Sequence, residues 1–394
     1  MMIILFDDQF RKGLLPLTFT RPVAALRVGI LTIAEKWQRR LNCEYSFLTQ
    51  GYLQQKFPIK ISDNNIFING SVCPDDELLE AIGKLKDGEA LFSTTLLIAV
   101  KLTKVAAKDF DAEITGQYKA VKFSSLFTRI RFPENIFSFN DSEIRKDFTL
   151  ITSGRQSATL SSTNTLIGSQ IFIEEGVEAE CSTFNTKAGP IYLGQNSQVW
   201  EGCHIRGSFA LAHDSQLKMG SKMYGMTTIG PYCRVGGEIS NSVIMGYSSK
   251  GHEGYLGNSV IGEWCNIGAD SNNSNLKNNY AEVRLWDYET EGFRSTGLQF
   301  CGLIMGDHSK CAINTMFNTG TVVGVSANIF GSGFPRNFIP DFVWGGPQGF
   351  SVYALNKMFE TAEKVYERRH ENFDDTEKDI LSAIFDLTSH RRIV

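Results

Sequence analysis

The chain has 394 residues, 42% of them hydrophobic, enough for two domains with cores of their own. Lysine and arginine number 39 against 43 acidic residues, a formal net charge of −4, so the composition gives no support to nucleic acid as a partner. No run reaches about 18 apolar residues and acid follows early at Asp7-Asp8, so neither a membrane span nor a signal peptide is expected, and a cytoplasmic location fits.

Residues 3–6 (I-I-L-F) read as a buried strand ending at Asp7-Asp8, followed by a loop carrying Arg11, Lys12 and Gly13. From Val28 to Arg40 apolar residues recur at helical spacing, through Ile30, Ile33, Ala34 and Trp37. Strands are expected at Tyr45 to Thr49 and Asn65 to Ile68, a helix from Glu77 to Leu85 opened by Pro74-Asp75-Asp76, and a further strand region from Glu89 to Leu102. This alternation predicts an α/β domain over residues 1–120 with a mostly parallel sheet covered by helices. Residues 121–163 read as a connector, partly helical from Leu126 to Arg145.

A period of six then dominates. Leu193, Val199, Ile205, Leu211, Leu217, Met223, Ile229 and Val235 are apolar without a miss, and the fourth place after each is small or apolar, from Ser197 to Ile239. A helix repeats its apolar face at about 3.6 residues and a strand at 2, so neither explains a hexad. A triangular parallel β-solenoid does, with each hexad a short strand plus a corner and about 18 residues per coil. The hexads begin at Ile167, lapse at Asn185 to Pro190, lose phase between Asn241 and Leu256, and are interrupted by a polar insertion from Asn272 to Thr296. A last run follows at Met305, Cys311, Phe317, Val323 and Ile329. Roughly nine coils over residues 164–340 are implied, with the interruptions as loops leaving the prism. The tail, 341–394, carries helical spacing at Leu355, Phe359, Ala362 and Val365-Tyr366 and again at Ile380 to Phe385, and is expected to cap the open end of the solenoid.

Regular hexads are structural, so chemistry is expected where they break. The stretch Lys250-Gly251-His252-Glu253-Gly254-Tyr255-Leu256-Gly257 places a histidine between glycines, about one coil from the asparagine-rich Asn266 to Tyr280. An imidazole with an ordinary pKa near 6.5 suits it to take a proton from an acceptor hydroxyl or amine. The eight cysteines form no C-x-x-C pair, and Cys203, Cys233 and Cys311 fall on the hexad ladder, which makes them inert core thiols.

The hexads resemble those of the left-handed β-helix acyltransferases. The order of parts resembles the bifunctional N-acetylglucosamine-1-phosphate uridyltransferase/glucosamine-1-phosphate acetyltransferase family, whose K-x-G-H-L-T-Y-L-G and N-I-G-A-G segments are similar to K-G-H-E-G-Y-L-G and N-I-G-A-D here. The resemblance implies a shortened, Rossmann-like nucleotidyltransferase-like α/β domain, a left-handed parallel β-helix and a helical C-terminal tail. It also implies His252 as general base, with Lys250, Tyr255, Asn275 and Lys277 binding substrate and acetyl-CoA in a groove between the solenoids of a homotrimer. A lysine of the family falls at Ser240-Asn241 here, and the insertion with Arg284, Trp286 and Arg294 has no counterpart.

At the N-terminus R-K-G-L-L-P-L-T-F-T-R-P looks like the sugar nucleotidyltransferase signature, which holds a triphosphate with backbone N–H groups, a basic side chain and Mg²⁺. Asp7-Asp8 stands where that signature has glycines, Val23 replaces its lysine, and Asn69-Gly70 replaces its Gly-Asp. Arg11, Lys12 and Arg21 are the phosphate-binding candidates, and Asp7 or Asp8 the metal candidates. Three readings follow. The first is an acyltransferase acting on a phosphorylated or nucleotide-linked sugar, joined to a nucleotidyltransferase-like domain that is active with an NTP or degenerate. The second is a sugar nucleotidyltransferase with the solenoid as trimer scaffold. The third is a non-catalytic sugar-nucleotide-binding assembly protein.

Overall fold

A computed structural model describes residues 1–392. The chain divides into two compact units: Met1–Leu14 with Thr20–Leu26 and Leu31–Phe132, and Leu15–Phe19 with Arg27–Ile30 and Pro133–Val394.

The first unit contains β1 (Met2–Phe6), α1 (Ile33–Leu41), β2 (Tyr45–Leu48), β3 (Asn64–Asn69), α2 (Asp76–Gly83), β4 (Glu89–Ser93), β5 (Leu96–Thr103), a one-turn helix α3 (Lys104–Ala107) and β6 (Lys119–Lys122). The sheet order is β2-β1-β3-β5-β4-β6. β1 runs parallel to β2 and β3, and β6 parallel to β4, but β5 is antiparallel to both β3 and β4. The sheet is therefore more mixed than the sequence suggests. The expected single strand from Glu89 to Leu102 is a hairpin reversed at Thr94, which adopts φ 54°, and a two-residue link permits only antiparallel pairing. α1 starts at Ile33 rather than near Val28, because Thr32 is its cap: Thr32 Oγ1 accepts from the Glu35 N–H, and the Thr32 N–H donates to Glu35 Oε2. Ile4, Phe6, Phe67 and Val100 centre one face of the sheet, and Trp37 is fully buried with its indole N–H on the Val72 carbonyl at 2.8 Å.

The second unit opens with α4 (Pro133–Thr152) and continues as a parallel β-solenoid. Its faces are sheets of six, nine and ten strands, the nine-stranded face running from Ile171–Ile173 to Phe338–Ile339. The hexad residues point inward and stack in register, Leu193 on Leu211 on Ile229 on one face and Val199 on Leu217 on Val235 on another. All are essentially inaccessible, and their continuous apolar column supplies the core that no single coil can build.

The phase loss after Val235 is not a loop. Ile239 pairs with Met223, Ile244 with Ile229 and Lys250 with Val235, so the inward positions are spaced four, then five, then six residues apart. Two corners have been shortened and the rungs continue. The insertion does leave the prism, but as an antiparallel hairpin of Arg284–Asp287 with Gly292–Ser295. Arg294 fastens it to α4 with paired hydrogen bonds to Glu134 at 2.6 and 2.7 Å.

The tail closes the solenoid's end with strands at its start rather than with its first helix. That end is closed by a hairpin of Val343–Gly346 with Gly349–Val352. α5 (Leu355–Glu367) instead lies along the flank: Tyr366 stacks on Trp264 at 3.8 Å, and Arg369 donates to the Tyr232 carbonyl. The reason is a column of aromatic residues at one corner of successive coils. Tyr232, Tyr247 and Trp264 all hold φ between 51° and 60°, and their rings stack at 4.7 and 4.2 Å. This ridge offers α5 a ready apolar surface. α6 (Asp375–Leu387) is capped by Asp374 and places Phe385 edge-on to Phe342. No described helix is long and apolar enough to cross a membrane.

Candidate functional site

His252 sits at a solenoid corner between the strands Ser249–Lys250 and Tyr255–Gly257. The corner below is the shortened Gly236-Gly237 turn. A Cβ on Gly237, at φ +80°, would meet the His252 carbonyl oxygen at 2.8 Å and the Gly254 carbonyl at 2.9 Å. The corner above is held by Asp270, whose N–H donates to the Glu253 carbonyl at 2.9 Å, and by Asn272, whose side-chain oxygen accepts from the Tyr255 N–H at 2.7 Å. Glycines therefore let three corners stack closely while the imidazole stays exposed.

His252 opens onto a groove of about 1300 Å³ running between this face and α5, lined also by Lys218, Arg234, Arg368 and Arg369. The groove is electropositive. Burial and the adjacent Arg234 lower the pKa of Lys218, and burial followed by Arg234 does the same to Arg369. These four cations were not singled out from sequence. Lys218 and Arg234 sit one residue either side of ladder positions, where a charge reads as ordinary solvated surface; only the run Arg368-Arg369-His370 was visible as a basic cluster.

The other expected substrate-binding residues lie elsewhere. Lys250 occupies an inward ladder place and is 2% exposed. Its ammonium donates to the carbonyls of Gly236 at 3.0 Å and His252 at 2.7 Å, and burial lowers its pKa from 10.5 to about 8. Expected as a substrate-binding residue, it instead braces the histidine corner from inside the prism. Tyr255 and Asn275 are together, the phenol oxygen accepting from Asn275 Nδ2 at 3.0 Å, while Asn275 also donates to Asn258 at 2.8 Å. Lys277 donates to the Glu282 carbonyl at 2.8 Å. None of these three lines the His252 groove.

In the first unit the carboxylates and arginines satisfy one another. Asp7 accepts from the Val23 N–H at 2.9 Å and from the Thr49 hydroxyl at 2.6 Å, and pairs with Arg11 at 3.3 Å. Burial raises its pKa to about 6 against the pull of Arg11. Asp8 accepts from Asn69 at 2.8 Å and faces Arg129 at 3.5 Å. With these oxygens engaged by donors, and no cluster of three metal-binding side chains among the described residues, Asp7 and Asp8 do not fit Mg²⁺. Arg11, which also donates to the Tyr52 hydroxyl, and Arg21 are buried, and only Lys12 is exposed. Six of the eight cysteines are buried and all are free; burial pushes the Cys233 thiol up to about 12, as inert core thiols require.

Residues 3–156 match the family described as "Sugar nucleotidyl transferase". No curated protein matches the chain. Among solved structures, the chain is similar to the UDP-N-acetylglucosamine acyltransferase from Campylobacter jejuni, at 14% identity, TM-score 0.31, covering 58% of this chain and 83% of that one. It is similar also to the corresponding enzyme of Francisella novicida, at 10% identity, TM-score 0.28 and coverage of 60% and 92%. A third is AntD, an N-acyltransferase from Bacillus cereus in complex with dTDP and coenzyme A, at 11% identity, TM-score 0.23 and coverage of 54% and 100%. The chain thus joins a segment matching the sugar nucleotidyl transferase family to a parallel β-solenoid, the order of parts found in the bifunctional nucleotidyltransferase–acetyltransferase family that its sequence resembles.

Proposed function

We propose that the second unit transfers an acyl group, acetyl from acetyl-CoA, to a phosphorylated or nucleotide-linked sugar, with His252 as general base. The observation that carries this reading is an exposed imidazole on a glycine-stacked corner, opening onto a groove whose walls carry Lys218, Arg234, Arg368 and Arg369. Those cations suit the phosphates of coenzyme A. In the proposed step His252 removes the proton from the acceptor hydroxyl or amine as its oxygen or nitrogen bonds to the thioester carbonyl carbon. The carbon–sulfur bond then breaks and the thiolate leaves with the proton. A backbone N–H of a neighbouring coil would hold the carbonyl oxygen as charge develops there. Tyr255 and Asn275 lie outside the groove of their own chain, so their contribution belongs to a homotrimer, in which they would reach the acceptor bound to an adjacent protomer. His252→Ala tests the assignment: acetyl-CoA-dependent turnover should fall about 10²- to 10⁴-fold with little change in melting temperature, since the side chain is exposed. Full turnover in that variant would overturn it.

A second reading, nucleotidyl transfer by the first unit, rests on the family match over residues 3–156. Release of pyrophosphate from an NTP and a sugar-1-phosphate, dependent on Mg²⁺, would establish it. The engaged Asp7 and Asp8 and the buried Arg11 and Arg21 weigh against turnover by this unit.

A further inference from the structure

A second cavity of about 970 Å³ lies at the far end of the solenoid, lined by the insertion hairpin, the last coils and the end of the chain. None of its residues lines the His252 groove. Its apolar wall is aromatic. Trp286 and Phe338 stack at 4.2 Å with planes 11° apart, Phe293 meets Trp286 edge-on at 5.4 Å, and Phe334 is 55% exposed. Its polar wall is cationic. Arg391 and His390 share the Glu291 carboxylate at 2.8 and 3.0 Å. Arg392, 7% exposed, donates to the Thr388 hydroxyl at 2.8 Å and the Phe385 carbonyl at 2.6 Å. Arg336 is exposed and makes no hydrogen bond or ion pair among the described residues. Glu291 thus answers Arg391 and His390, Asp341 and Asp386 act on Arg392 from behind the wall, and Arg336 is left as the cation that the cavity does not balance.

A neutral aromatic ligand would satisfy one wall and leave Arg336 unanswered, while a bare anion would answer that charge and leave the rings exposed. A heteroaromatic ring joined to a phosphate does both, by stacking and by charge-assisted hydrogen bonds, and the volume falls in the range of small-molecule sites. We propose that this cavity is a second ligand site, separate from the histidine groove, for a nucleoside phosphate, with the ring against the Trp286–Phe293–Phe334 wall and the phosphate on Arg336. The site does not depend on acyl transfer, and the insertion would exist to build it.

The test is calorimetry on the full chain with 5′-UMP, 5′-AMP and inorganic phosphate as probes, joined to hydrogen exchange with and without nucleotide. A nucleotide should protect amides within 334–350, and Arg336→Ala should weaken its binding about tenfold or more. Phe334→Ala should weaken the nucleotide but not inorganic phosphate, which should bind less tightly throughout. Both side chains are exposed, so unchanged melting curves will show that the variants fold. The proposal is overturned if nucleotide leaves 334–350 unprotected or if Arg336→Ala binds as the wild type does. It is equally overturned if inorganic phosphate binds as tightly as nucleotide, or if the face proves buried by self-association in solution.

Discussion

Lys250 offers the sharpest check on the assignment of rungs after Val235. Its ammonium is enclosed, and burial lowers its pKa from 10.5 to about 8. A shift of this size corresponds to roughly 3 kcal/mol, since one pKa unit is about 1.4 kcal/mol. The sign follows from the folded chain holding this proton less tightly than the unfolded one. The full penalty is therefore present below about pH 8, and stability is regained as pH rises from about 8 to 10.5.

Lys250→Met removes the titration while keeping a long unbranched side chain in the Val235 column. It also strips the Gly236 and His252 carbonyls of a donor, at roughly 1–3 kcal/mol for a buried acceptor left unpaired. The two effects nearly cancel at pH 7.5, so stability there decides nothing. The difference between the proteins decides, measured by urea unfolding of the solenoid transition from pH 7.5 to 10.5. The wild type should gain about 3 kcal/mol on the variant across that window. Parallel curves would mean that the ammonium reaches water and that the rung at Ser249–Lys250 is misplaced.

Two further outcomes are expected. Arg294→Ala leaves Glu134, 4% exposed at its side chain, without its paired guanidinium. It should destabilise the second unit by about 3–5 kcal/mol and raise hydrogen exchange across residues 284–295; unchanged exchange there would show that the hairpin holds without this pair. Asp7→Asn addresses the first unit. A folded-state pKa raised from 3.8 to about 6 means that the stability Asp7 contributes is complete below about pH 4 and is lost as pH rises through 6, roughly 3 kcal/mol in all. Denaturation of both proteins from pH 4 to 7 should show the wild type losing that amount relative to the variant, whose amide does not titrate, and a constant difference would place Asp7 in water.

What was legible in the sequence depended on whether a residue's environment is set by its own period or by a neighbour's. The strict hexad from Leu193 to Val235 is a property of one repeating rung, and it gave the prism, its register and its core directly. After Val235 the same rungs continue, but with corners shortened by two residues and then one. Period analysis reads this as lost phase and a loop, although Ile239, Ile244 and Lys250 remain on the ladder. The misreading has a chemical consequence. A lysine in a loop reads as a substrate ligand, whereas the same lysine on an inward rung must satisfy its donors on backbone carbonyls and becomes a brace. The histidine is the converse: it stands two residues beyond the rung, at a corner whose lower neighbour is reduced to Gly236-Gly237, and that shortening is what lets it project. Lys218, Arg234, Arg368 and Arg369 come together only because α5 returns along the aromatic corner of Tyr232, Tyr247 and Trp264. The spacing of those three rings, 15 and 17 residues, is the coil length itself, so the docking of the tail was written in the sequence at a period longer than the hexad. Reading for residues that recur once per coil, as well as once per strand, would have located both the helix and the groove it closes.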